Sequence, residues 1–259
     1  MKRFAAYLMP IAVASFYFFL YIPIFVLIVF SFNDNAFTNA WAGFTTSWYE
    51  DLFHAYEAWH ALKNSLLIAA STVGLSLTLG STLIFFGSRS TVQRLLPLFY
   101  GSLAMPEIVL AVGLLSLFSF FAIPLGAATL VIGHTLLGLG YVIPILYDRF
   151  SEMDIHLIEA SYDLGATKRQ TFFSVVLPLL MPALVAAGLL VFIISLDDFI
   201  ISFFCAGASV QTLPLYIFAV IRTGASPMLN ALSTIMLIVS SLFVLVFSFL
   251  QVKKVRGQK

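Results

Sequence analysis

Six separate stretches of this chain are each apolar over a length that can cross a lipid bilayer, and this limits the possible folds more than any other feature. A hydrocarbon core about 30 Å thick takes about 20 apolar residues in a helix. The stretches run over Leu8–Phe32, Leu62–Gly87, Leu98–Phe121, Gly126–Tyr147, Leu180–Phe203 and Leu229–Gln251. Inside lipid every backbone polar group must find a partner within the protein, which leaves helices as the spanning element for runs of this length. Composition agrees. Of 259 residues, 61% are hydrophobic and 10% charged, with a mean hydropathy of +1.03; a globular domain is about 45–50% apolar and about 25% charged. The expected fold class is an all-α polytopic membrane protein with six transmembrane helices.

Lys2 and Arg3 precede the first stretch, as in a secretory signal. The run to Phe32 is nevertheless far longer than a signal core of about 7–15 residues. It holds Pro10 and Pro23 and lacks a small-residue cleavage pattern, so it reads as a retained span. The single cysteine, Cys205, excludes an internal disulfide.

Basic residues concentrate in cytoplasmic loops. With an even number of crossings both termini share a side, and on that side fall Lys2, Arg3, Arg89, Arg94, Arg149, Lys168, Arg169, Lys253, Lys254, Arg256 and Lys259, leaving Lys63 and Arg222 opposite. The termini are therefore expected to be cytoplasmic. The outer loop after the first span carries Asp34, Glu50, Asp51 and Glu57 together with all three tryptophans, Trp41, Trp48 and Trp59. Trp48, Leu52, Phe53, Tyr56 and Trp59 recur at helical spacing, which suits a segment lying at the headgroup level or a contact with a partner or substrate.

Two interruptions carry more information. In the cytoplasmic one, Asp154 suits a helix N-cap, with Ile155, Ile158 and Tyr162 on one stripe. Gly165 stands where a helix end favours φ > 0. Thr167 and Gln170 have the spacing of a capping box that opens a second helix through Phe172, Phe173 and Val176. A helix–turn–helix elbow is expected, with Glu159 and Asp163 on its polar side. The outer interruption, from Phe204 to Met228, holds Gly207, Pro214, Gly224 and Pro227, and an aromatic half-helix over Leu215–Val220 could dip at an outer gate or meet a partner.

Three acids fall within the spans. A carboxylate near a helix centre costs roughly 2.5–3.5 kcal/mol, so such groups face a protein interior or a wet cavity. Glu107 follows Pro106 near the midplane of a continuous third span. Asp197 and Asp198 lie nearer the outer end of the fifth, turned about 100° apart, so that one can face a pore and the other a neighbouring helix. No basic residue is read deep in a span to pair with them. Anionic groups with aromatic rims suit an organic cation. A protonated or partner-paired structural acid is the alternative, most openly for Asp198.

The elbow resembles the cytoplasmic signature of the permeases of ATP-binding-cassette importers: Glu-Ala-Ala, three residues, Gly, nine residues, Ile, one residue, Leu-Pro. Here it reads Glu159-Ala160-Ser161, Gly165, Val175 and Leu177-Pro178, with Ser161 for Ala and Val175 for Ile as departures. Within that family the chain is similar to the spermidine/putrescine permeases. The similarity is carried by Leu20-Tyr21-Ile22-Pro23-Ile24, Ser31-Phe32-Asn33, Gly43-Phe44-Thr45-Thr46 with Trp48-Tyr49, Met105-Pro106-Glu107, Ser195-Leu196-Asp197-Asp198, Leu213-Pro214-Leu215, and Ser226-Pro227 with Asn230-Ala231.

The resemblance implies a type I importer permease fold, with a leading span and outer loop over 1–60, a five-helix core over 61–251 containing a coupling loop at 148–179, and a basic tail at 252–259. It makes the elbow a coupling helix docked on an ATPase dimer, Glu159 its charged contact, Ala160 the close approach and Gly165 the turn. It makes Trp48, Glu107, Ser195, Asp197 and Asp198 polyamine contacts, with Glu107 standing where the family often has Asp. It also implies a second, different permease subunit, a periplasmic binding protein and a bacterial inner-membrane location. The chain carries no Gly-x-x-x-x-Gly-Lys-Ser/Thr loop, so hydrolysis is assigned to another polypeptide, and no cofactor or nucleic-acid partner is expected. The rival readings are an importer permease for another solute, an ion-coupled secondary transporter and an intramembrane aspartyl protease.

Overall fold

A computed structural model describes the backbone of residues 2–35, 40–87, 89–224 and 227–256, and the side-chain surroundings of 9–10, 12–35, 40–87, 90–224 and 227–242. Ser226 and Lys259, both used above, lie outside the described residues. The elements are α1 (Lys2–Phe30), α2 (Ser47–His54), α3 (Tyr56–Phe86), α4 (Arg89–Ala104), α5 (Glu107–Phe120), α6 (Ala127–Ser151), α7 (Ile155–Asp163), α8 (Lys168–Thr171), a π-helical stretch (Phe172–Val176), α9 (Leu177–Asp197), α10 (Ile200–Cys205), α11 (Leu213–Thr223) and α12 (Pro227–Arg256). Among the described residues the extended pairing is an isolated antiparallel bridge between Asn33 and Phe44.

Among the described residues four helices are long and apolar enough to cross a membrane: Ala12–Phe30, Tyr56–Phe86, Ala127–Ser151 and Lys168–Asp197. Ser90–Ala104 and Glu107–Phe120 are long and apolar enough only when taken together as one bent pair, and Pro227–Leu242 of α12 is a shorter apolar stretch. The all-helical membrane fold is as expected. Two of its spans differ from the expectation in a way that matters.

The third span is not continuous. α4 and α5 meet at an angle of 110°, because Pro106 has no N–H to return to the Ser102 carbonyl and its ring crowds that turn. The Met105 N–H reaches Ser102 O instead, at 3.4 Å. The fifth span is also broken. α9 ends at Asp197, Asp198 takes an extended conformation (φ −67°, ψ 119°), and α10 begins anew. At its other end α9 is longer than expected, since α8, the π-helical stretch and α9 form one apolar helix from Lys168 to Asp197.

The chain divides into two compact units. One comprises Trp59–Tyr216; the other takes the chain up to Ala58 and from Ile217 onward. In the Trp59–Tyr216 unit, one apolar cluster joins α3, α4, α6, α7 and α9 through Ile84, Val92, Val142, Leu146, Ile158, Phe172, Leu180 and Val191. A second, around Ile68, Ala111, Phe118, Leu130 and Ile201, joins α3, α5, α6 and α10. Small residues let these helices approach, since lipid supplies no hydrophobic drive between them. A Cβ on Gly138 would lie 2.7 Å from Ser76 Oγ, and one on Gly133 would lie 2.8 Å from Ile201 Cγ2.

In the other unit, α12 packs on α1 and α2. None of the apolar window of α1 is buried in the protein, as for a helix whose solvent is lipid. The turn after it is held by the buried Asn33, which donates from Nδ2 to Ala40 O (2.8 Å) and accepts at Oδ1 from Ala42 N (2.9 Å).

Candidate functional site

The two helix breaks come together. Glu107, the first residue of α5, lines a cavity of about 390 Å³ with Ile193, Ile194, Asp197, Asp198, Phe199 and Ile200 around the α9–α10 break. A second cavity of about 240 Å³ also touches Glu107 and Ile194 and is otherwise lined by Ser102, Leu103, Met105, Leu110, Leu137 and Tyr141. Glu107 is thus not midway along a straight helix. It stands at a bend, between two cavities.

The two aspartates have separate surroundings. Asp197, the last residue of α9, is exposed, whereas Asp198 is buried. Asp198 Oδ1 accepts from Ile201 N (3.3 Å) and Oδ2 from Ser202 N (2.8 Å), so its carboxylate caps the first turn of α10. Oδ2 also lies 3.0 Å from His134 Nε2. On the far side of the imidazole, Nδ1 lies 2.6 Å from Ser195 Oγ. One arrangement satisfies all of these groups: the Ser195 hydroxyl donates to Nδ1, and Nε2–H donates to Asp198. The chain Ser195–His134–Asp198 is buried at every member.

The expectation that no basic side chain pairs with the intramembrane acids is therefore corrected by His134. The signal was available, since an imidazole stood within the fourth apolar stretch, where ionisable residues are rare. Tyr141 and Ile194 were also not singled out. Nothing in a single sequence separates them from the other apolar and aromatic residues of a span.

Glu107 and Asp198 line the same cavity. Two carboxylates at one cavity repel unless a proton or a cation lies between them. The structure brings Glu107, Asp197 and Asp198 to one cavity and places Ser195 behind it. Trp48 belongs to the other compact unit. There its indole N–H donates to Asn33 O (2.8 Å), which ties α2 to the end of α1.

The elbow is built as its residues suggest. Asp154 Oδ1 accepts from His156 N (3.0 Å) at the start of α7. At the end of α7, Ala166 N donates to Ser161 O (3.0 Å) and Gly165 N to Tyr162 O (2.8 Å), around Gly165 at φ +84°. This is the Schellman pattern, which needs a residue tolerant of positive φ. Thr167 and Gln170 form the reciprocal capping box. Ser161 Oγ lies 2.9 Å from the hydroxyl of the buried Thr171, joining the two arms.

Of the expected apolar stripe only Ile158 is buried; Ile155 and Tyr162 are exposed, as are Leu157 and Leu164, the last at 90%. Glu159 is exposed and lies 3.1 Å from His156 Nδ1. Ala160 is exposed beside it, Val175 is half-buried in the π-helical stretch, Leu177 packs on the main cluster, and Pro178 is the second residue of α9, directly after the π-helical stretch. The two braced helices of the elbow thus present an exposed face that is both apolar and charged.

A membrane chain of helices, with an acidic cavity at two helix breaks and a braced elbow at one end, has the build of a transport subunit. Solved structures share the fold. A bacterial ABC transporter involved in the import of the acidic polysaccharide alginate has a chain that superposes with a TM-score of 0.72 at 16% identity, over 96% of both chains. A chain of the MetNI methionine ABC transporter in an inward-facing conformation gives 0.56 at 18% identity, over 73% of this chain and 90% of that one.

Residues 70–256 match the family model of the binding-protein-dependent transport system inner membrane component, and the chain belongs to that family. It is 35% identical over 247 residues to the spermidine/putrescine transport system permease protein PotC of Escherichia coli K12, covering 93% of this chain and 92% of the relative. The PotC protein of Haemophilus influenzae is 37% identical over 230 residues, 86% and 88% of the two chains. The putrescine transport system permease protein PotI of Escherichia coli K12 is 34% identical over 229 residues, 85% and 82%.

Proposed function

We propose that this chain is the permease subunit of an ATP-driven importer and forms half of the pathway for polyamines such as spermidine and putrescine. The observation that carries the reading is the convergence of Glu107, Asp197 and Asp198 on one cavity at two helix breaks. A polyamine is a string of ammonium groups separated by methylenes. Unwound segments inside a membrane are tolerated where they line a cavity, and helix C-terminal ends there favour cations. Asp197 and Glu107 act in succession as the substrate passes, while Asp198 is held by His134 and α10.

The exposed face of α7, with Glu159, Ala160, Leu157 and Leu164, docks on the ATPase dimer. Gly165 and the Ser161–Thr171 contact, with Val175, Leu177 and Pro178 behind them, transmit its movement into α9. A second, different permease subunit completes the pathway, and a periplasmic binding protein delivers the substrate to the outer surface, where Trp48 and its loop lie. Residues 1–60 form the leading span and loop, 61–251 the core, and 252–259 the tail. Both termini face the cytoplasm of a bacterium, as the distribution of lysine and arginine supports; reporter fusions at each end test that orientation.

The transport reading is tested by labelled polyamine uptake and substrate-stimulated ATP hydrolysis in the reconstituted complex. Glu107→Gln and Asp197→Asn, with assembly confirmed, are expected to reduce uptake at least tenfold. Wild-type rates in both variants, or ATP hydrolysis that responds to another solute and not to polyamines, would remove the polyamine assignment.

A further inference from the structure

The two cavities both have Glu107 and Ile194 in their walls and differ in chemistry. The larger is acidic, with Asp197 and Asp198 at the end of α9. The smaller has no second carboxylate; its walls are Tyr141 on α6, Leu137, Leu110, Leu103 and Met105, with Ser102 at the end of α4. His134, Leu137 and Tyr141 follow one another on a single stripe of α6, at i, i+3 and i+7. His134 marks the level of Asp198, and Tyr141 lies seven residues further toward Arg149, which is about 10 Å along the helix axis.

Each cavity also sits at the C-terminal end of an interrupted helix. α4 stops at Ala104 because Pro106 offers no N–H, and α9 stops at Asp197 because Asp198 leaves helical geometry. Unpaired carbonyls at such ends carry the negative pole of the helix dipole. Two places that favour positive charge thus share Glu107 and the apolar Ile194 in their walls.

We infer that the Tyr141 cavity is a second ammonium-receiving chamber, so that the pair of chambers selects an extended aliphatic di- or triamine over a monoamine. This rests on the polyamine reading above. One ammonium end sits among Asp197, Glu107 and the α9 terminus. The methylene chain passes Ile194. The other end meets the Tyr141 ring face and the α4 terminus. Tyr141 is then a specificity-determining residue, acting through its ring rather than its hydroxyl.

The test is uptake of labelled spermidine and putrescine by the full complex, together with competition by butylamine, which carries one ammonium. Tyr141→Leu is expected to raise the half-saturating concentration of both polyamines roughly 3- to 30-fold, the worth of one cation–π contact, and to leave butylamine competition unchanged. Tyr141→Phe is expected to behave as wild type. Leu103→Trp, at an exposed position lining the same chamber, narrows it without depending on the Tyr141 site and is expected to reproduce the selective loss. Unchanged polyamine values in Tyr141→Leu and Leu103→Trp, or equal losses for polyamines and butylamine, overturn the inference while the polyamine reading stands. A wild-type complex that takes up neither polyamine overturns both.

Discussion

His134 Nε2 lies 3.0 Å from Asp198 Oδ2, with each side chain about 1% exposed, and this contact joins α6 to the break between α9 and α10. A buried hydrogen bond to a charged group contributes about 1.5–3 kcal/mol. His134→Leu is therefore expected to destabilise the protein by about 2 kcal/mol, since Asp198 keeps the two α10 amides but loses its imidazole. Asp198→Asn keeps an acceptor for Nε2–H and is expected to cost less. Thermal unfolding in detergent, followed by recovery of monodisperse protein, ranks the two; a less stable Asp198→Asn would contradict the pairing.

At Gly165 the space around an added Cβ is open, so a substitution there tests backbone conformation alone. With φ at +84°, Gly165→Val carries a strain of about 1–3 kcal/mol, while Gly165→Asn is tolerated better because asparagine visits the left-handed region. The expected result is loss of ATPase co-purification in the valine variant and retention in the asparagine one. Equal binding by both would show that the turn does not shape the docking face.

Ser161 replaces the alanine of the importer signature, and its hydroxyl meets that of Thr171 at 2.9 Å. A double-mutant cycle with Ser161→Ala and Thr171→Val is expected to return a coupling of about 0.5–1.5 kcal/mol. Additive effects in unfolding measurements would mean that the two arms of the elbow are not braced by this bond.

The α3–α6–α9 contact is close enough to be sensitive to a single methyl group. Gly138→Val places atoms where Ser76 Oγ and Val191 now stand, and overpacking of this kind costs about 1–3 kcal/mol. Gly113→Val, where an added Cβ meets nothing within 4 Å, serves as the control. Detergent melting curves should separate them, with the control melting at or slightly above the parent because valine is a better helix former than glycine.

The sequence by itself determined the membrane class, the elbow and the identity of the charged residues. Hydropathy acts over whole runs, and capping chemistry acts within a few residues, so both can be read along the chain. Asp154, Gly165 and the Thr167–Gln170 box needed no tertiary information. What the chain order did not reveal was where spans break and what meets across them. Pro106 stood inside one apolar run that gave no sign of a 110° turn, and the offset between Asp197 and Asp198 did not say which of them faces the cavity. Their separation, one exposed and one buried against His134, arises because α6 and α10 converge from distant parts of the chain. Contacts between residues 60 or more apart depend on helix packing, which only the tertiary structure decides.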